Sequence, residues 1–283
     1  MIDGLTLKDG NALFFDESGS GEDLLFIHGY ISDGNVWGKV KEAWSGNEHI
    51  LAPTLEGFYS ERINFSKEYL NTFSLTNHLN SLIELIEEKC TMPVRVVGWS
   101  YGASLALLLA IKRPDLVKSV FAYEPGISSF IKKKDVLTEI QADRADMASG
   151  AIQALKLHEY QLAIEKVVDG ACRKNGVFQT LSPDIKELFL ENSETIPLMF
   201  NTKEAPNLQV SNEDIKNIAT EITLSYGEFA RPAYKLVVQE ATDLINNSKL
   251  VVIPGAYHIV PVQSPGNFIQ AIKNSFYEGI NQQ

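Results

Sequence analysis

The chain has 283 residues, 45% hydrophobic and 22% charged, an ordinary composition for a globular protein with one large domain or one domain plus an insertion. Its net charge of −11 argues against nucleic acid or an anionic membrane as main partner, because both reward basic surfaces. No apolar run approaches the roughly 18 residues of a membrane span.

The opening MIDGLTLKDGNALFFDESGSGED is acidic and lacks the basic start and apolar core of a secretory signal, so the expected location is cytoplasmic. Short apolar runs then alternate with stretches of helical period. Strands are expected at Leu13–Phe15, Leu24–Ile27, Ile50–Leu51, Val94–Val97, Val120–Tyr123, Ile222–Tyr226 and Leu250–Ile253. Helices are expected at Phe73–Lys89, Tyr101–Ile111, Ala233–Ile245 and Phe268–Tyr277. Most of the strand runs are almost wholly apolar, as strands covered on both faces are. The alternation predicts an α/β protein with a mostly parallel sheet and helices on both faces.

The pattern breaks between about 127 and 215. Amphipathic stretches at Asp135–Met147, Ala151–Val168 and Pro183–Asn192 follow one another without a convincing strand. The expected organisation is a core of 1–126 and 216–283 with a helical cap at 127–215, laid over the C-terminal edge of the sheet, where it closes a pocket. Cys90 and Cys172 are far apart, so neither a disulfide framework nor a metal site is expected.

Gly98-Trp99-Ser100-Tyr101-Gly102 fits G-x-S-x-G and sits between a strand and a helix, the context that gives the motif its mechanism. The sharp turn lifts the serine hydroxyl clear of the sheet at a helix start. The backbone N–H of Tyr101 points the same way and can receive a developing oxyanion. A serine hydroxyl needs a base, and five histidines compete. His258 lies on the loop after the last strand and is the candidate base. His78 and His158 fall in helical patterns and are expected to be solvated or cap-facing, and His49 starts a strand and is expected to be structural. His28, in FIHGY, is expected to shape a tight turn with Gly29 that aims the N–H of Tyr30 into the pocket as second oxyanion donor.

These residues together resemble the α/β-hydrolase family over nearly the whole chain. LLFIHGY, ILAPTLEGFYSER, VVGWSYGASLALLLAIKRPDLVKSVFAYEP, ITLSYGE and VVIPGAYHIVPVQSP come in family order. The resemblance implies a mostly parallel eight-stranded sheet and a cap after the sixth strand. It also implies a catalytic carboxylate, and here the sequence departs from the pattern. The residue three after Gly227, where many relatives carry the acid, is Ala230. Similar hydrolases with a "YEP" strand end point to Glu124 in its place. Glu228 is the alternative acid, and a chain with no acid on the histidine is the third possibility. A second departure, Thr54 with Phe58 and Tyr59, is expected to alter loop packing and pocket lining.

The chemistry that follows is acyl transfer on a small to medium, largely apolar ester-like molecule (a carboxylester, thioester or lactone), with Ser100, His258 and Glu124 as triad. Trp99, Tyr101, Tyr30, Trp37, Phe130, Met199 and Phe200 are the expected lining. No cofactor is implied: a P-loop, a G-x-G-x-x-G after a strand and H-E-x-x-H are all missing from the sequence. Serine at the elbow disfavours the dehalogenase and epoxide hydrolase branches, which use aspartate there. A non-hydrolytic acyltransferase or C–C lyase, and a ligand-binding relative that has lost activity, stay open on fold alone.

Overall fold

The computed structural model describes residues 2–58, 73–91, 93–201 and 209–277; Tyr59 lies outside them. Eight strands form one sheet: β1 (Ile2–Thr6), β2 (Ala12–Ser18), β3 (Asp23–Ile27), β4 (His49–Thr54), β5 (Val94–Trp99), β6 (Val117–Tyr123), β7 (Glu221–Gly227) and β8 (Ser248–Ile253). Their spatial order is β1-β2-β4-β3-β5-β6-β7-β8. β2 pairs antiparallel with both β1 and β4, and the pairs from β4 to β8 are parallel. All residues of β3 and β5 are buried, as parallel strands between two helical layers must be. β1 had no sequence signal. It is five residues long, and Asp3 and Gly4 interrupt its apolar pattern. It exists because the turn at Leu7–Asn11, with Gly10 at φ 90°, folds it back on β2.

Two core clusters lie on opposite faces of the sheet. The first holds α2 (Leu75–Lys89), α3 (Tyr101–Lys112) and α10 (Pro232–Leu244); the second holds α1 (Gly38–Ala43), α11 (Val260–Gln263) and α12 (Pro265–Tyr277). α3 is the most deeply set helix, with every residue from Gly102 to Ala110 buried. Its small residues at the first turn let it start directly beneath the strand ends.

Between β6 and β7 run α4 (Lys134–Lys156), α5 (Tyr160–Ala171), α6 (Val177–Thr180), α7 (Pro183–Glu191), α8 (Ile196–Asn201) and α9 (Asn212–Lys216). One expectation is corrected here. The sequence suggested a break after Met147 and a second helix from Ala151 to Val168, but α4 runs unbroken through Ala148-Ser149-Gly150 and ends at Lys156. Gly150 lies in the seam between α4 and α5, where a Cβ would stand 3.4 Å from Lys166; it allows close packing and does not stop the helix. The stop comes at Leu157-His158. There His158 takes φ 59° and the N–H of Glu159 returns to the Ala154 carbonyl. His158 is exposed and lies in this turn, not in a helix.

An ion cluster around a buried arginine ties these helices to the sheet. Arg231, just before α10, is 2% exposed and donates to both carboxylate oxygens of Asp143, to Asp146 and to the Gly170 carbonyl. On the other side, buried Asn192 donates to Asp33 at 3.0 Å. No helix among the described residues is long and apolar enough to cross a membrane. Removing one partner of a buried ion pair leaves the other charge uncompensated. Arg231→Leu is therefore expected to lower the unfolding free energy by about 3–5 kcal/mol, read from urea melts.

Candidate active site

β5 ends at Trp99 and α3 begins at Tyr101, so Ser100 alone makes the turn. It does so at φ 56° and ψ −110°, left-handed backbone that costs a non-glycine residue about 1–3 kcal/mol. Three contacts hold it there. Its N–H donates to the Tyr123 carbonyl, its carbonyl accepts from the Ser104 N–H, and the flanking glycines leave no slack. A Cβ on Gly98 would come within 2.4 Å of the Gly102 carbonyl oxygen, and one on Gly102 within 2.1 Å of that of Ile27. The elbow is as tight as its sequence suggested.

The loop after β3 lies against it, with the Ser100 Cβ 3.3 Å from where a Gly29 side chain would begin. His28 shapes that loop. Its Nδ1 donates to the Gly29 carbonyl at 2.7 Å and its Nε2 accepts the Leu55 N–H at 3.0 Å. Both ring nitrogens are spent on backbone, and burial lowers its pKa to about 4, so the ring is neutral and turned from the chemistry. Among the described residues the backbone N–H groups of Tyr30 and Tyr101 have no hydrogen-bond partner.

His258 follows β8. Its Nδ1 lies 2.5 Å from Glu124 Oε2, and both side chains are buried. An ionised carboxylate can only accept, so Nδ1 carries the proton and Nε2 is left as the second ring nitrogen. Glu124, directly after β6, holds φ 50°. Its backbone N–H donates to the Ser225 carbonyl, and its Oε1 accepts the Gly227 N–H at 2.9 Å. Glu228 is engaged elsewhere: it is exposed and accepts the Gly255 N–H at 2.7 Å. Of the two candidate acids, the structure brings Glu124 to His258. The Trp99 indole donates to the His258 carbonyl at 2.8 Å, and the Tyr123 hydroxyl to the Tyr257 carbonyl at 2.8 Å.

Ser100 and His258 line one cleft, with about 550 Å³ of space between its atoms. Its floor comes from Gly29, Tyr30, Trp99 and Ile259, its roof from the segment between β6 and β7, including Met147, Val167, Phe189, Met199 and Phe200. Among the described residues, the wall holds no lysine, arginine, aspartate or glutamate. Three expected lining residues are elsewhere. Trp37 is fully buried among Phe26, Trp99 and Phe268, Phe130 is sealed in the opposite core, and Tyr101 turns its hydroxyl to His78. His78 is itself a correction. It is fully buried, not solvated, with Nε2 donating to the Glu56 carbonyl and Nδ1 accepting from Tyr101. His49 is structural as expected, held between Asp23 and Glu17. Tyr234 gave no sequence signal, being one aromatic residue in an amphipathic helix; it lies face to face with His258, centroids 4.4 Å apart and planes within 6°.

No family model matches the chain. It is 20% identical over 266 residues to the pimeloyl-[acyl-carrier protein] methyl ester esterase of Nitrosospira multiformis, covering 92% of this chain and 97% of that one. It is 22% identical over 285 residues to the chloroplastic protein PHYLLO of Arabidopsis thaliana, where the match covers 91% of this chain and 15% of PHYLLO's length. Among solved structures, Est816, an N-acyl homoserine lactone degrading enzyme, superposes with a TM-score of 0.73 at 17% identity, over 95% of this chain and 98% of that one. The sheet order, the flanking helices and the strained elbow are those of the α/β-hydrolase fold. The chain has the α/β-hydrolase fold and is similar in sequence to an esterase and a hydrolase.

The buried histidines make stability depend on pH. His28 and His78 both have pKa values lowered to about 4 by burial, against an ordinary 6.5 in the unfolded chain. Between about 6.5 and about 4 the unfolded state binds the extra protons, so stability falls as pH falls through that window, by about 1.4 kcal/mol per pH unit for each ring. His49 has the opposite sign, because its two carboxylates raise its pKa. Its contribution is complete below 6.5 and is lost as pH rises above it, outside this window. Urea melts from pH 7 to 4.5 are expected to show the slope, and His78→Gln to reduce it by one proton.

Proposed function

We propose that the protein is a serine hydrolase that cleaves a small to medium, largely apolar ester-like substrate through an acyl-enzyme on Ser100. The observation that carries this reading is the buried Glu124–His258 hydrogen bond at the wall of a cleft that also contains Ser100. Glu124 fixes the His258 tautomer, and Nε2 faces the cleft as base. Ser100 attacks the substrate carbonyl and its proton passes to His258. The N–H groups of Tyr30 and Tyr101, free of protein partners, receive the oxyanion. His258 then gives the proton to the leaving group and activates the water that releases the acid.

The uncharged wall supports an apolar acyl group, since burying an ion there without a partner is costly. The helices between β6 and β7 act as a cap that excludes water from the acyl half. The esterase named among the relatives acts on a methyl ester, which is consistent with this class.

A fluorophosphonate probe and p-nitrophenyl acetate, butyrate and octanoate test the reading. Wild type is expected to label at Ser100 and to turn the esters over. Ser100→Ala and His258→Ala should lose about 10³-fold or more, and Glu124→Gln about 10²–10⁴-fold, while Glu228→Gln keeps full activity. Wild type that neither labels nor hydrolyses any ester overturns the proposal.

A further inference from the structure

His258 is gripped from more directions than its hydrogen bonds require. The Tyr234 ring lies over it at 4.4 Å and 6°. Trp99 flanks it at 6.0 Å and 49° while also bonding its carbonyl. The Cys172 thiol, at the end of α5, lies against the backbone N–H groups of His258 and Ile259. Tyr234 is 7% exposed, sits in the first turn of α10 and lines the cleft. Its hydroxyl is turned from His258 and donates to Met147 Sδ at 3.5 Å. Only its ring face acts on the imidazole.

We infer that Tyr234 is a positioning residue for His258: its ring face keeps the imidazole plane aligned with Ser100 and stabilises the imidazolium that forms during attack. The inference rests on the reading of Ser100 as nucleophile and His258 as base. As Ser100 Oγ bonds to the carbonyl carbon, its proton moves to His258 Nε2 and the carbonyl electron pair moves onto oxygen. The imidazole thereby gains one positive charge in a site shielded from water. An aromatic face within about 6 Å of a cation attracts it, and more strongly where water is excluded. Two neutral rings gain less from a parallel stack, because their like-signed faces oppose each other. The stack therefore favours the charged ring over the neutral one, which is the difference that lowers a barrier.

The other titratable groups around the ring are few. Glu124 touches it from the end of β6. Tyr123 lies beside Glu124, and Cys172 faces the His258 backbone with its thiol neutral, pushed up to about 12 by burial. Arg144, on α4, and Arg231, just before α10, act on Tyr234, and Arg231 is paired with Asp143 and Asp146.

The test compares Tyr234→Phe, Tyr234→Leu and a series of fluorinated phenylalanines at 234, which keep the ring's shape and progressively remove the negative charge of its face. Tyr234→Phe keeps the ring face, so the acid limb of kcat/KM should stay where it is in the wild type. Tyr234→Leu should lower kcat about tenfold with KM little changed, and move the acid limb about one unit to lower pH. The fluorinated series should step the limb the same way with each added fluorine, and it decides the matter even if the leucine variant does not fold. A limb that stays fixed across the series overturns the inference, as does a Tyr234→Phe variant that loses as much as Tyr234→Leu. Ester hydrolysis that survives Ser100→Ala or His258→Ala would instead overturn the serine-hydrolase reading itself.

Discussion

The hydrogen bond between Glu124 and His258 is the contact on which the rest of the site is arranged. A fully buried carboxylate is costly unless its oxygens are satisfied. Here one oxygen takes the imidazole N–H and the other the backbone N–H of Gly227. The second bond requires the end of β7 to approach the end of β6 closely, and the parallel register, Tyr123 beside Ser225, delivers that approach. It also requires a glycine, because a side chain at 227 would run into the Ala256 carbonyl at 2.3 Å and the Tyr123 hydroxyl at 2.7 Å. The carboxylate is thus built into the sheet. Its geometry is set by strand pairing, which is stiffer than a loop.

With Glu124, directly after β6, holding His258, the loop after β7 makes other contacts. Position 230 holds a buried alanine. The next residue, Arg231, reaches up to Asp143, Asp146 and the Gly170 carbonyl on α4 and α5. Three residues further on, Tyr234 covers His258. One short stretch therefore joins the helices above the cleft to the ring below it. An aspartate in this loop would compete for the same arginine and the same histidine, so the Glu124–His258 bond and the arginine latch form one consistent arrangement.

The sequence made the sheet and the elbow legible because both depend on short-range patterns. The runs at β3, β5, β6 and β7 are almost wholly apolar, and Ser100 sits where strand period gives way to helix period. β1 escaped because its stability comes from pairing with β2 and not from its own pattern. The continuity of α4 escaped because Gly150 reads as a breaker in one dimension and acts as a packing contact in three. Trp37 and Phe130 were placed in the pocket by proximity along the chain, but the direction of a side chain is set by the element it sits on, and both point into core clusters. Tyr234 was invisible for the complementary reason, since what matters is the ring it faces 24 residues later.

The histidines show the same division at the level of chemistry. All five share an ordinary pKa near neutrality, and what each does is decided by its partners. His28 and His78 are enclosed with backbone and hydroxyl partners, so burial keeps them neutral and they serve as fixed donor–acceptor pairs. His49 lies between two carboxylates, which favour its charged form, and fastens β2, β3 and β4 together. His158 is exposed in a helix-terminating turn. His258 alone combines a buried carboxylate on one nitrogen with an open cleft at the other. A base must have one nitrogen held and one free. Among these rings only the one on the loop after β8 meets that requirement, because only there do the end of β6, the elbow and the first turn of α10 converge.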